Sequence, residues 1–257
     1  MHPILVRIGP VSISSYGVIL AVAFLLAVWL AAHATTRSLK DLVPMMETEL
    51  FDWGCWTMLG GVLGGRALYV LLNWEVYVQH PQEVLALWHG GLVWYGGFVG
   101  GLLAHGLFLA RHSHSVLRGT DQVIPFVTLG HAVGRIGCFA NGCCMGKPTF
   151  GWFGVVFPGH DHPLVPVQLI ESACLVGLYV LLRALQTPAR LQRPGTLFSI
   201  YLIGYALIRW TLEYWRADQP LVWNSWTLHQ VISVIVALGG LGLLATRWRI
   251  PSGKVAK

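Results

Sequence analysis

Seven apolar stretches dominate the chain, near residues 13–34, 51–72, 91–110, 121–140, 166–184, 196–215 and 225–246. A bilayer core of about 30 Å takes about 20 residues of helix to cross, and each stretch meets that length. Hydrocarbon offers no water to the backbone, so such segments are expected to be helices that satisfy their own N–H and C=O groups. The composition agrees, with 55% hydrophobic residues, 11% charged residues, 12 tryptophans and a mean hydropathy of +0.61. The expected fold class is all-α, a polytopic integral membrane protein of about seven transmembrane helices, forming a single domain over residues 1–257.

A net charge of +6 would suit a nucleic-acid binder, but the basic residues are dispersed among apolar segments and form no single basic face. No nucleic-acid partner is expected. Five cysteines without a CxxC pair give neither zinc-finger spacing nor a disulfide framework. Arg7 and Gly9-Pro10 precede an apolar run too long for a signal-peptide core, with no clear cleavage site after it, so the first span is expected to be retained.

Loop charge predicts the orientation. One side carries eleven Lys and Arg residues, namely Arg37, Lys40, Arg111, Arg118, Arg183, Arg190, Arg193, Arg247, Arg249, Lys254 and Lys257; the other carries Arg7, Lys147 and Arg216. The N-terminus should therefore face outward, on the periplasmic side of a bacterial inner membrane, and the C-terminus the cytoplasm.

The first, third and seventh stretches lack Asp, Glu, Lys and Arg, as lipid-facing helices would. The others carry Arg66; Asp121 and Arg135; Glu171; and Arg209 and Glu213. A charge at membrane depth costs at least a few kcal/mol, so these helices are expected to line the interior. With the topology above, Arg66, Arg135, Arg209, Glu213, Tyr95, Gln168 and Glu171 fall in the outer half of the membrane. Three arginines against two acids leave a positive surplus suited to a phosphate.

Gly134-Arg135-Ile136-Gly137-Cys138-Phe139-Ala140-Asn141-Gly142-Cys143-Cys144-Met145-Gly146-Lys147 gathers an arginine, an amide and three thiols. Together with Gly9-Pro10, Tyr16-Gly17, Gly64-Gly65-Arg66, Gly90-Gly91, Gly96-Gly97, Pro166, Gln168, Glu171, Tyr205, Arg209 and Glu213, it resembles the bacterial prolipoprotein diacylglyceryl transferases over nearly the whole chain. The resemblance implies an enzyme that moves diacylglyceryl from phosphatidylglycerol to the cysteine thiol of a preprolipoprotein lipobox segment and releases glycerol phosphate, with no cofactor and no metal. Arg135 and Arg209 would hold the phosphate, with Tyr95 and Glu213 as further catalytic candidates. Asn141, Tyr16, Arg66, Gly137 and Gly142 would contact substrate. The chain departs from the family pattern at Tyr95, where a histidine is common, and at Cys138 and Cys143, which replace an asparagine and a glutamate. No residue is thereby assigned as acceptor of the thiol proton.

Other readings stand beside these. Arg135 could be a structural ion pair, and Arg209 and Glu213, four apart, could merely neutralise each other. Arg66 reads more readily as structural, pairing with Glu171 or Glu213. Tyr95 suits an interfacial aromatic. Asp121 reads as the N-terminal cap of the fourth span. Cys138, Cys143 and Cys144 read first as packing or substrate-shaping residues, with an oxidisable pair, nucleophiles or a metal site, aided by His131, His160 or His162, as alternatives. A same-fold paralogue with thiol redox or other lipid-transfer chemistry, or a non-enzymatic lipid-binding protein, would share most of these features.

Overall fold

The computed structural model describes residues 4–8, 11–38, 43–87, 90–216, 221–223 and 226–248. Gly9-Pro10, Lys40, Arg249, Lys254 and Lys257, which entered the sequence reading, lie outside them. The architecture is helical apart from two short antiparallel hairpins, β1 (Ile4–Ile8) with β2 (Val11–Ser14) and β3 (Leu221–Trp223) with β4 (Trp226–Thr227). The long helices are α1 (Ser15–Ser38), α2 (Glu47–Leu72), α4 (Trp94–Arg111), α5 (Val116–Asn141), α6 (Val167–Leu185), α8 (Thr196–Glu213) and α9 (Leu228–Trp248). Each corresponds to one apolar stretch. Short helices α3 (Trp74–Gln79) and α7 (Pro188–Leu191) lie in segments read as loops; they are too short for a periodic signal.

Five helices are long and apolar enough to cross a membrane: residues 15–34 of α1, and α2, α5, α6 and α9. Large apolar side chains such as Leu25, Leu63, Leu103, Ile235 and Leu238 are exposed, as a lipid-facing surface requires. The chain is a helical polytopic membrane protein. Its contacts divide it into two compact units, Met1–Ala31 with Thr120–Lys257, and Ala32–Gly119.

In the first unit, α6 packs on α8 and α8 on α9. Asp121 is fully buried and sits inside α5, not at its start, because the helix begins at Val116. Its carboxylate instead caps α8: Oδ2 accepts from the Gly195 N–H at 2.7 Å and Oδ1 from the Phe198 N–H at 2.8 Å. The cap anticipated for the fourth span thus serves the sixth, where a carboxylate meets the positive end of the helix dipole. Pro125, one turn further along α5, has no N–H to give the Asp121 carbonyl. Gln186 Nε2 supplies a donor there, at 3.3 Å from Asp121 O and 3.2 Å from Gln122 O.

In the second unit α2 lies against α4 through a Gly-x-x-x-Gly pair on each helix. A Cβ on Gly64 would stand 2.4 Å from Gly96 O, and one on Gly100 2.2 Å from Gly60 O, so only hydrogen fits at these crossings. Helix α4 starts at Trp94 rather than at 91, because Gly90 and Gly91 adopt φ of 81° and 85°, outside the right-handed helical region.

Candidate active site

The first polar centre lies between α5 and α6. Arg135 Nη2 pairs with Glu171 Oε2, and the Glu171 side chain is only 1% exposed against 14% for Arg135. The carboxylate is therefore the buried anchor and the guanidinium the partly accessible end. His131, one turn before Arg135, places Nε2 3.9 Å from Glu171 Oε1 and its ring edge-on to Tyr205. Ser172 Oγ donates to Ala132 O at 2.8 Å, fixing the two helices at this level. Arg135 Nε is out of solvent and meets no acceptor among the described residues, so the side chain retains donor capacity after pairing.

The second centre joins the end of α8 to the start of α9. Arg209 Nη2 lies 2.9 Å from Glu213 Oε2, the local i,i+4 pair that the spacing suggested. Glu213 Oε1 also accepts from Thr227 Oγ1 at 2.6 Å and lies 3.6 Å from His229 Nδ1. Arg209 Nη1 is buried and, among the described residues, also meets no acceptor. Tyr205, one turn before Arg209 on α8, meets the His131 ring at 5.2 Å and so stands between the two centres.

The end of α5 supplies a third element. A Cβ on Gly137 would lie 3.3 Å from Tyr16 Cδ2 and 3.3 Å from Ile19 Cγ2, so this glycine lets α1 press against α5. Asn141 is the last residue of α5, and Gly142 follows with φ of 73°, its N–H donating to Phe139 O at 3.0 Å. This left-handed residue ends the helix and turns the chain into the thiol loop. Cys143 N–H donates to Cys138 O at 3.2 Å, and Gln168 Nε2 donates to Cys143 O at 2.5 Å. Gly146 then docks where no side chain fits, 2.7 Å from Trp215 O measured from a built Cβ. The Cys138, Cys143 and Cys144 sulfurs lie within 4.8 Å of one another, and Arg135 Nη1 is 3.8 Å from Cys138 Sγ. All three are free and partly buried.

Arg135, Arg209, Glu213, Asn141, Tyr16, Gly137 and Gly142 therefore all belong to the first unit. Tyr95 and Arg66 belong to the second. Tyr95 is exposed on the first turn of α4, beside Trp94. Arg66 is buried, and the pairing with Glu171 or Glu213 gives way to a different use. Its Nε donates to Val84 O at 2.8 Å, Nη1 to Gly90 O at 2.7 Å and Nη2 to Glu83 O at 2.6 Å. A guanidinium offers five donors in a fixed fork, and here a loop of carbonyls fills it. Arg66 is thus satisfied by the loop that follows its own helix instead of by a carboxylate on a neighbouring helix.

Sequence reasoning missed the parts played by His131, Thr227 and His229. His131 carried a signal, standing four residues before Arg135 on one helix face. Thr227 and His229 reach Glu213 only through the β3–β4 turn, which no helical period announces.

A family model described as prolipoprotein diacylglyceryl transferase matches residues 3–246. Proteins named phosphatidylglycerol–prolipoprotein diacylglyceryl transferase are similar throughout. That of Synechococcus elongatus is 34% identical, covering 94% of this chain and 86% of the relative. The Nostoc sp. protein is 34% identical, covering 98% and 94%. The Gluconacetobacter diazotrophicus protein is 34% identical, covering 98% and 92%. With the match running from the first hairpin into α9, the chain belongs to the prolipoprotein diacylglyceryl transferase family.

Proposed function

We propose that this chain transfers the diacylglyceryl group of phosphatidylglycerol to the cysteine thiol of a prolipoprotein lipobox, releasing glycerol phosphate. It does so in a bacterial inner membrane, crossing it seven times with α4 and α8 completing the set, and with the site toward the periplasmic side. The observation that carries this reading is Arg135: a guanidinium oriented by a buried carboxylate, with donor capacity left over, beside a second arginine in the same state. Transfer requires a sulfur–carbon bond to form at the glyceryl carbon as the carbon–oxygen bond to phosphate breaks. Positive charge fixed in advance at the phosphate lowers that barrier. Arg135 and Arg209 hold the phosphate, Glu171 and Glu213 position them, and Asn141 and Tyr16 border the headgroup. His131 accepts the thiol proton, with Glu171 stabilising the imidazolium that forms. Tyr95 remains a catalytic candidate and Arg66 a substrate-binding one, and within its own unit Arg66 holds its loop.

The test is complementation of a strain depleted of its own transferase, with lipobox modification read by mass spectrometry. The native chain and Cys143→Ser should lipidate, and Arg135→Ala should not. A same-fold thiol-redox enzyme is the second reading, favoured by the 3.7 Å separation of the Cys143 and Cys144 sulfurs. It requires that all three proteins reach the membrane and none of them lipidates.

A further inference from the structure

The transfer reaction makes no use of the three thiols that end α5. Cys138 sits on the last turn of the helix, Cys143 just beyond the left-handed Gly142, and Cys144 next to it with φ of 63°. A non-glycine residue in that region is strained, and here the turn brings the sulfurs of adjacent cysteines to 3.7 Å instead of sending them to opposite sides. The Cys138 sulfur completes a triangle whose edges are all within 4.8 Å. For metal–sulfur bonds of roughly 2.3 Å, three sulfurs around one ion in a plane stand about 4.0 Å apart. The thiol triangle is close to that size before any ligand contracts it.

We propose that Cys138, Cys143 and Cys144 form a three-thiolate site for a soft monovalent cation of the Cu(I) class. The donor set decides the class. Among the described residues no His, Asp, Glu or further Cys donor joins the group, and His131, His160 and His162 stand outside it. Zinc in structural sites takes four ligands in a tetrahedron, whereas thiolate sulfur selects soft Cu(I), which is content with three. The surroundings favour a negatively charged cluster: Arg135 Nη1 lies 3.8 Å from Cys138 Sγ. The loop is held in place by Gln168 on the Cys143 carbonyl and by Gly146 and Lys147, whose N–H groups donate to Val165 O at 2.9 Å and Trp215 O at 2.7 Å. On binding, each ligating thiol gives its proton to buffer and no electron moves.

The experiment uses the full chain, reduced and anaerobic in detergent, titrated with Cu(I) against a chromophoric Cu(I) chelator. One Cu(I) per chain should be held, and Cys138→Ser, Cys143→Ser and Cys144→Ser should each weaken binding by more than about 100-fold, beyond what loss of an outer-shell partner costs. A Cys55→Ser/Cys174→Ser double variant, altering the two exposed cysteines elsewhere, should bind as the native chain does. A measurement on the unaltered protein avoids any folding defect: Cu(I) should shield Cys138, Cys143 and Cys144 from alkylation relative to the same protein without Cu(I), read by peptide mass spectrometry. Complete stripping by the chelator, alkylation of these three cysteines unchanged by Cu(I), or tighter binding of Zn(II) with a fourth ligand would overturn the proposal.

Discussion

Replacing Glu171 by glutamine separates the positioning of Arg135 from every other property of the site. The change is nearly isosteric and removes only the charge. Glu171 is 1% exposed and holds both Arg135 and, at 3.9 Å, His131, so its loss leaves the guanidinium in a poorly solvated place without a counter-charge. Breaking one side of a buried pair costs about 3–5 kcal/mol. Because Arg135 is itself 14% exposed, and the substituted amide oxygen still accepts a hydrogen bond, the lower end applies, about 3 kcal/mol. For a chain of this size that is a fall in Tm of roughly 6–12 °C. Thermal unfolding in detergent reads the stability, and diacylglyceryl transfer to a lipobox peptide reads the function. Glu171→Gln should lose both. Adding Arg135→Gln removes the orphaned charge and should restore at least half of the stability while activity stays lost, since coupled residues do not add. A Glu171→Gln protein that melts within about 1 °C of native and transfers at the native rate would refute the reasoning that this carboxylate positions the arginine.

Three further outcomes follow from the same geometry. Asp121→Ala should cost about 2–3 kcal/mol and raise hydrogen exchange at the Gly195 and Phe198 amides before it affects α9, because two buried N–H groups lose their charged acceptor. Gly64→Ala should destabilise by at least about 1–3 kcal/mol in thermal unfolding, since its Cβ would sit 2.4 Å from Gly96 O, whereas Gly106→Ala, with open space around it, should be neutral or slightly stabilising. Under the proposed role for His131, His131→Gln should lower kcat by about 10²–10⁴-fold with little change in Tm, and an unchanged kcat would remove it as the proton acceptor.

The helical layout was readable because membrane spans obey one strong rule, an apolar run of a given length, and each of the seven runs corresponds to a long helix. The rule says nothing about which helix a polar side chain serves. Asp121 illustrates this: flanked by Gly119-Thr120, it resembles a cap of its own helix, yet it caps α8, 74 residues away in sequence from Gly195. Arg66 illustrates it again, since its partners are backbone carbonyls, which every residue has and which therefore leave no mark in the sequence. The Arg209–Glu213 pair was legible because helical spacing alone creates it, whereas the Arg135–Glu171 pair depends on α5 meeting α6. The approach of Gly137 to Tyr16 similarly depends on α1 meeting α5.

The most direct test of the central claim places the purified chain in bilayers containing phosphatidylglycerol, with a lipobox peptide, and measures the rate of diacylglyceryl attachment for the native, Arg135→Lys and Arg135→Ala proteins. The account predicts transfer by the native chain and a loss of at least about 10²–10³-fold for Arg135→Ala, the range for removing a donor that stabilises developing negative charge. It predicts only partial retention for Arg135→Lys, which keeps the charge but not the fork that Glu171 orients. Native-rate transfer by Arg135→Ala, in a preparation that melts as a folded protein, would contradict it.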